Sequence, residues 1–131
     1  MTPQEQEYLS TPDMPGDCAR AVIAALLDLP MSEVPHFLHL ANRSVVGFYD
    51  RIEEFLASHG YEMAWNATPL YYLHEGMDVY HYISGPSPRG EGLYHAVVGL
   101  NGLVAYDPHP SHEGLLGHPD DWGYSFLVTI K

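Results

Sequence analysis

An α+β domain is predicted by one switch in patterning. Apolar residues fall at helical spacing before Gly60 and in short strand-like runs after it. Helices first and strands afterwards imply N-terminal helices packed on an antiparallel β-sheet. The length of 131 residues fits a single domain, 1–131, with room for a buried core. Apolar residues at 46% and charged residues at 17% mark a globular composition rather than a disordered one.

Each element has its own signal. Residues 1–14 are polar and proline-marked, which predicts an irregular N-terminal arm. Asp17 is placed to cap a helix over 18–29 that Pro30 ends. Val22, Ile23, Leu26, Leu27 and Leu29, with several alanines, wrap much of that helix, as suits one buried on most sides. "MSEVPHF" opens with a Ser N-cap and predicts one short turn. A second helix is expected from Val46 to His59, with Phe48, Ile52, Phe55 and Leu56 inward and Gly60 as its C′ residue. The runs "YEMAW", "DVYHYIS", "YHAVVGL", "LVAYD" and "YSFLVTI" are then aromatic and β-branched, and turn residues separate them. "GPSPRGEG" reads as a loop, and Asn101-Gly102 is a strong hairpin signal. No internal repeat or low-complexity tract interrupts the chain.

Charge narrows the partners. There are 17 acidic residues against 5 basic ones, a formal −12. Arg20, Arg43, Arg51, Arg89 and Lys131 are scattered and form no basic patch, which argues against nucleic acid. An acidic surface favours a cationic partner or simply keeps the protein in solution. No apolar run reaches membrane-spanning length, and "MTPQEQEYLS" has no basic start or apolar stretch, so no membrane association is expected. A lone cysteine forms no internal disulfide, and a cytoplasmic location is the expectation. Nothing in the patterning specifies an oligomeric state.

Three short pieces carry chemistry: "GDC" at 16–18, "YHAVV" at 94–98 and "AYDPHP" at 105–110. Unpaired N–H groups and the dipole at a helix N-terminus favour a thiolate, and an adjacent imidazolium favours it further. A carboxylate beyond the imidazole fixes its tautomer. Cys18, His95 and Asp107 supply these three parts. Strand parity constrains the pairing. A two-residue Asn101-Gly102 turn sets residue 96 against 107 and sends His95 and Asp107 to opposite faces. A three-residue loop, Leu100-Asn101-Gly102, sets 95 against 107, so the chemical reading predicts the longer loop.

These residues resemble the papain-like cysteine peptidases, closest to the bacteriocin leader-peptidase-like group. The wider string "GDCARAVIAALLDLPMSEVPHF … YISGPSPRG … HAVV … DPHPS" is similar to a small group of bacterial and phage proteins. The resemblance implies a papain-like fold, with Cys18 as nucleophile, His95 as general base and acid, and Asp107 as orienting residue. It implies a peptidase or amidase working through a thioester, with a peptide or protein substrate and no cofactor. Acyl transfer by the same three residues is the neighbouring reaction. The Cys18 N–H would supply one oxyanion hydrogen bond. The family's glutamine shortly before the cysteine is missing from "STPDMPGD", and Gln4 and Gln6 lie farther upstream. Asp13 or a backbone N–H is the candidate to fill that place.

Other readings attach to the same residues. Cys18 alone reads as a buried core thiol, His95 as a core histidine and Asp107 as part of an Asp-Pro turn. An inactive papain-like binding module is therefore the rival class. Asp107, His109, His112 and His118 have ligand chemistry suited to zinc, though their spacing matches no metal motif and no metal is assigned. Tyr71, Tyr72, Tyr80 and Tyr82 read as strand and core aromatics, some of them candidates to line a groove. Trp122 is either a core residue or a cover over the His–Asp pair. Arg89, in "SGPSPRG", is a candidate for a substrate-side loop.

Overall fold

In the computed structural model, which describes residues 1–130, helices precede and pack on a five-stranded antiparallel sheet. Helix α1 (Cys18–Leu26) is the centre of the core. Ala21, Val22, Ile23, Ala24 and Ala25 have no accessible surface, because small and β-branched side chains let the helix lie close against the sheet. It ends earlier than Pro30 implies. Asp28 turns left-handed (φ 56°) and the Leu29 N–H bonds back to the Ala24 carbonyl. The "MSE" segment forms a 3₁₀ turn, Met31–Glu33, in which Ser32 is internal rather than a cap. A further single turn, α2 (Phe37–Leu40), follows with His36 Nδ1 accepting from the His39 N–H. Helix α3 (Val45–Ser58) starts behind Ser44, whose Oγ accepts from Gly47 N–H, and it buries Ile52 and Leu56 fully.

The strands are β1 (Tyr61–Ala64), β2 (Tyr80–Pro86), β3 (Tyr94–Leu100), β4 (Leu103–Tyr106) and β5 (Gly123–Thr129). Their order is β1-β5-β2-β3-β4, so β2 and β3 are central and covered by α1. Burial on both faces explains why "YHAVVGL" lacks the alternation of a half-exposed strand: His95 through Gly99 are all buried. Gly99 is required there. A Cβ at that position would run into the buried His81 ring and lie 2.7 Å from Ile83 Cδ1.

The β3–β4 turn differs from the predicted three-residue loop. Leu100 pairs with Leu103 across the two-residue turn, with Asn101 at φ 52° and Gly102 at φ 88°. By itself this turn would separate His95 from Asp107. A bulge reverses that effect: Gly99 pairs with Val104 but Val98 pairs with Tyr106, which leaves Ala105 as the extra residue. Continued by one residue, this register sets Asp107 opposite Val97, on the face that His95 shares.

Candidate active site

Cys18 is the first residue of α1, half-buried, and it lines a cleft of about 1100 Å³ together with His95. The Asp17 carboxylate is 1% exposed and caps no helical N–H, contrary to its expected role. It accepts instead from Tyr8 N–H (2.9 Å) and Glu7 N–H (3.3 Å) and pairs with Arg20 at 3.3 Å. Asp17 therefore ties the N-terminal arm to the start of α1, and Arg20 offsets its charge next to the thiol. Gly16 allows this close approach, since a Cβ there would lie 3.3 Å from Ser10 N.

His95 and Asp107 are each 5% exposed, and His95 Nε2 lies 2.6 Å from Asp107 Oδ1. Asp107 also accepts from the N–H groups of His109 (2.9 Å) and Gly114 (2.7 Å), so the following loop is wound around it. Burial would raise its pKa, but the bonds from His95, His109 and Gly114 and the His95 charge together hold it below the usual carboxylate value. For His95, burial disfavours the imidazolium. The hydrogen bond with Asp107, the Cys18 thiol and the charges of both outweigh burial and raise the pKa to about 9. Because Nε2 is engaged by the carboxylate, Nδ1 is the nitrogen left for the thiol. The arrangement can hold a thiolate beside an imidazolium, with a buried carboxylate fixing the ring.

Tyr82 borders the same cleft. Burial first, then the charges of Cys18 and Tyr49, push its phenol well above its usual pKa, so it stands near the sulfur as a neutral hydroxyl. Trp122 lies over Gly85, the register partner of His95, where a Cβ would be 2.8 Å from its Cδ1. Its Nε1–H bonds the Leu116 carbonyl at 2.7 Å, so this tryptophan is held at the cleft edge and covers the His95 end of β3. Tyr71 and Tyr80 are exposed and do not line the cleft.

Arg89 lines the cleft, held by Ser111 Oγ at 3.0 Å. Asp13 is exposed and is not among the cleft residues. Gln6, farther upstream, does line the cleft and is 8% exposed. Its Nε2 donates to Tyr8 O (2.8 Å) and would lie 3.5 Å from a Cβ at Gly16. No periodicity marks Gln6 in the sequence, because it is placed by the fold-back of the arm; its own N–H bonds Pro108 O at 3.0 Å. Among the described residues no three His, Cys, Asp or Glu side chains converge on a common metal position. In the 107–118 stretch, Asp107 serves His95, His109 Nδ1 faces Ser111, and His118 Nδ1 accepts from Asp120 N–H. Of these histidines only His109 reaches the cleft, edge-on to His95 at 6.2 Å between ring centroids.

No protein-family model, curated protein or solved structure matches this chain. The fold and cleft define its class by themselves: an α+β domain in which a helix-borne cysteine and a strand-borne histidine line one cleft, the histidine bonded to an aspartate just past β4. No single helix is long and apolar enough to cross a membrane.

Proposed function

We propose that this chain is a papain-like cysteine hydrolase that cleaves peptide or protein amides through a thioester. The observation that carries this reading is the His95 ring, held at 2.6 Å by a buried carboxylate and lining one cleft with Cys18, whose thiol helps raise the His95 pKa. In the first step Sγ bonds to the carbonyl carbon, and the C–N bond breaks as Nδ1–H passes its proton to the departing amine. In the second step His95 takes a proton from water while its oxygen bonds to the acyl carbon. The C–S bond then breaks and the thiolate returns. The Cys18 N–H, without an intrahelical partner at the first position of α1, is one oxyanion donor. Gln6 is the other, in place of Asp13, because one N–H of its amide remains after the bond to Tyr8. A reducing cytoplasm suits a protein that works through one free thiol.

The test has two readings on one protein. Carbamidomethylation of Cys18 by iodoacetamide is followed by mass spectrometry against pH, in the parent and in His95→Ala. The expected result is alkylation that is fast in the parent and becomes slow without the imidazole. A pooled peptide library is then incubated with the parent and with Cys18→Ala, and cleavage should require the cysteine. Slow alkylation indifferent to His95, with no cleavage, would sink the proposal and leave a binding module.

A further inference from the structure

The distribution of charge reverses at the cleft. Among the described residues only Asp17 and Asp121 of the acidic ones line it, whereas three of the four arginines do: Arg20, Arg43 and Arg89. Arg20 is spoken for by Asp17 and Glu7, both at 3.3 Å. Arg43 donates to the Thr11 and Pro12 carbonyls at 3.2 and 3.1 Å, so its guanidinium is committed to holding the arm. Arg89 is different. One nitrogen donates to Ser111 Oγ at 3.0 Å, and among the described residues no carboxylate pairs with it. The same Ser111 Oγ lies 2.8 Å from His109 Nδ1, and the His109 ring is edge-on to His95 at 6.2 Å, so the guanidinium stands on the His95 side of the cleft.

Position and chemistry agree. A half-buried guanidinium keeps its charge at every working pH and offers a planar fork of donors that matches a carboxylate. In a protein of net −12, a cleft arginine whose one hydrogen-bond partner is a neutral hydroxyl stands against the surrounding field. The Ser111 hydroxyl anchors one edge of the fork and leaves the other edge available.

Resting on the cysteine-hydrolase reading, we propose that Arg89 is a specificity residue that binds a substrate carboxylate close to the scissile amide. The preferred substrates are then acidic peptides at that subsite rather than the cationic partners an acidic chain suggests. The carboxylate is supplied by an Asp or Glu side chain or by the end of a short peptide, and the two sources are separable.

The test uses bromoacetyl probes, which alkylate Cys18 as Sγ bonds to the methylene carbon and bromide leaves. Three are compared: bromoacetyl-glutamine amide, bromoacetyl-glutamate amide and bromoacetyl-glutamine with a free carboxylate. In the wild type at least one acid should react roughly tenfold faster than the neutral amide, the scale of one charge-assisted hydrogen bond. Whichever acid is faster identifies the source. In Arg89→Gln that ratio should collapse toward unity, and in Arg89→Lys part of it should return. Raising salt in the wild type should lower the ratio without any mutation. A ratio unchanged in Arg89→Gln, or equal rates for all three probes in the wild type, would overturn the proposal. Because each ratio is taken within one protein, it is distinct from the absolute iodoacetamide rate on which the cysteine reading depends.

Discussion

His95 is where burial and partnership compete most directly. Its pKa of about 9, against an ordinary 6.5, means that the folded protein binds this proton more tightly than the unfolded chain. The stabilisation is complete below pH 6.5 and is lost as pH rises through about 9. Urea midpoints should therefore fall across that alkaline window, and His95→Gln should flatten the fall. Asp107 has the opposite sign. Its carboxyl is held below the usual value, so its contribution is present above the ordinary 3.8 and disappears as pH drops through the folded value. In Asp107→Asn the imidazole loses its largest partner, and NMR titration of the His95 ring should show its pKa lower than in the parent. Gln6 offers a sharper separation of roles. Alkylation forms no oxyanion, so Gln6→Ala should cut peptide turnover by about 10²–10³ and leave the iodoacetamide rate nearly intact.

The β3–β4 hairpin shows how backbone irregularity positions a side chain. With its two-residue turn and no bulge, Asp107 would face away from His95; the extra residue at Ala105 restores the parity. Deleting Ala105 removes the extra residue without altering the pairing beyond it, so the deletion should preserve the His95-dependent reactivity of Cys18. Inserting one alanine between Tyr106 and Asp107 should abolish that reactivity while circular dichroism still reports a folded sheet. Gly99 constrains the same strand differently. Gly99→Ala should cost about 1–3 kcal/mol in chemical denaturation, since the new Cβ collides with the His81 ring and Ile83 in a region with no room to relax.

Across the molecule, the N-terminal arm joins parts that are distant in sequence. It runs from the end of α1, where the Thr2 N–H bonds Ala25 O, past Pro108 beside the Asp107 loop, to the buried Asp17 carboxylate. Removing residues 1–9 would leave Asp17 with only Arg20, and it should lower stability by about 1–3 kcal/mol because a buried carboxylate loses its backbone donors. Turnover should fall with the loss of Gln6, whereas the His95–Asp107 contact lies outside the arm and should persist.

Local chemistry and patterning made much of this legible in the sequence. The apolar run after Cys18, broken only by Arg20, suited a central helix, Gly60 lies just past α3, and the β-branched runs after Gly60 are all strands. Such signals act over a turn of helix or a pair of strands, so the residues themselves encode them. Tertiary structure decided the rest: the bulge that turns Asp107 toward His95, the diversion of Asp17 from helix cap to arm anchor, and the arrival of Gln6 at the cleft in place of Asp13. Each depends on contacts between segments far apart in the chain. Their energies come from burial and from satisfying backbone groups in three dimensions, which no local spacing records.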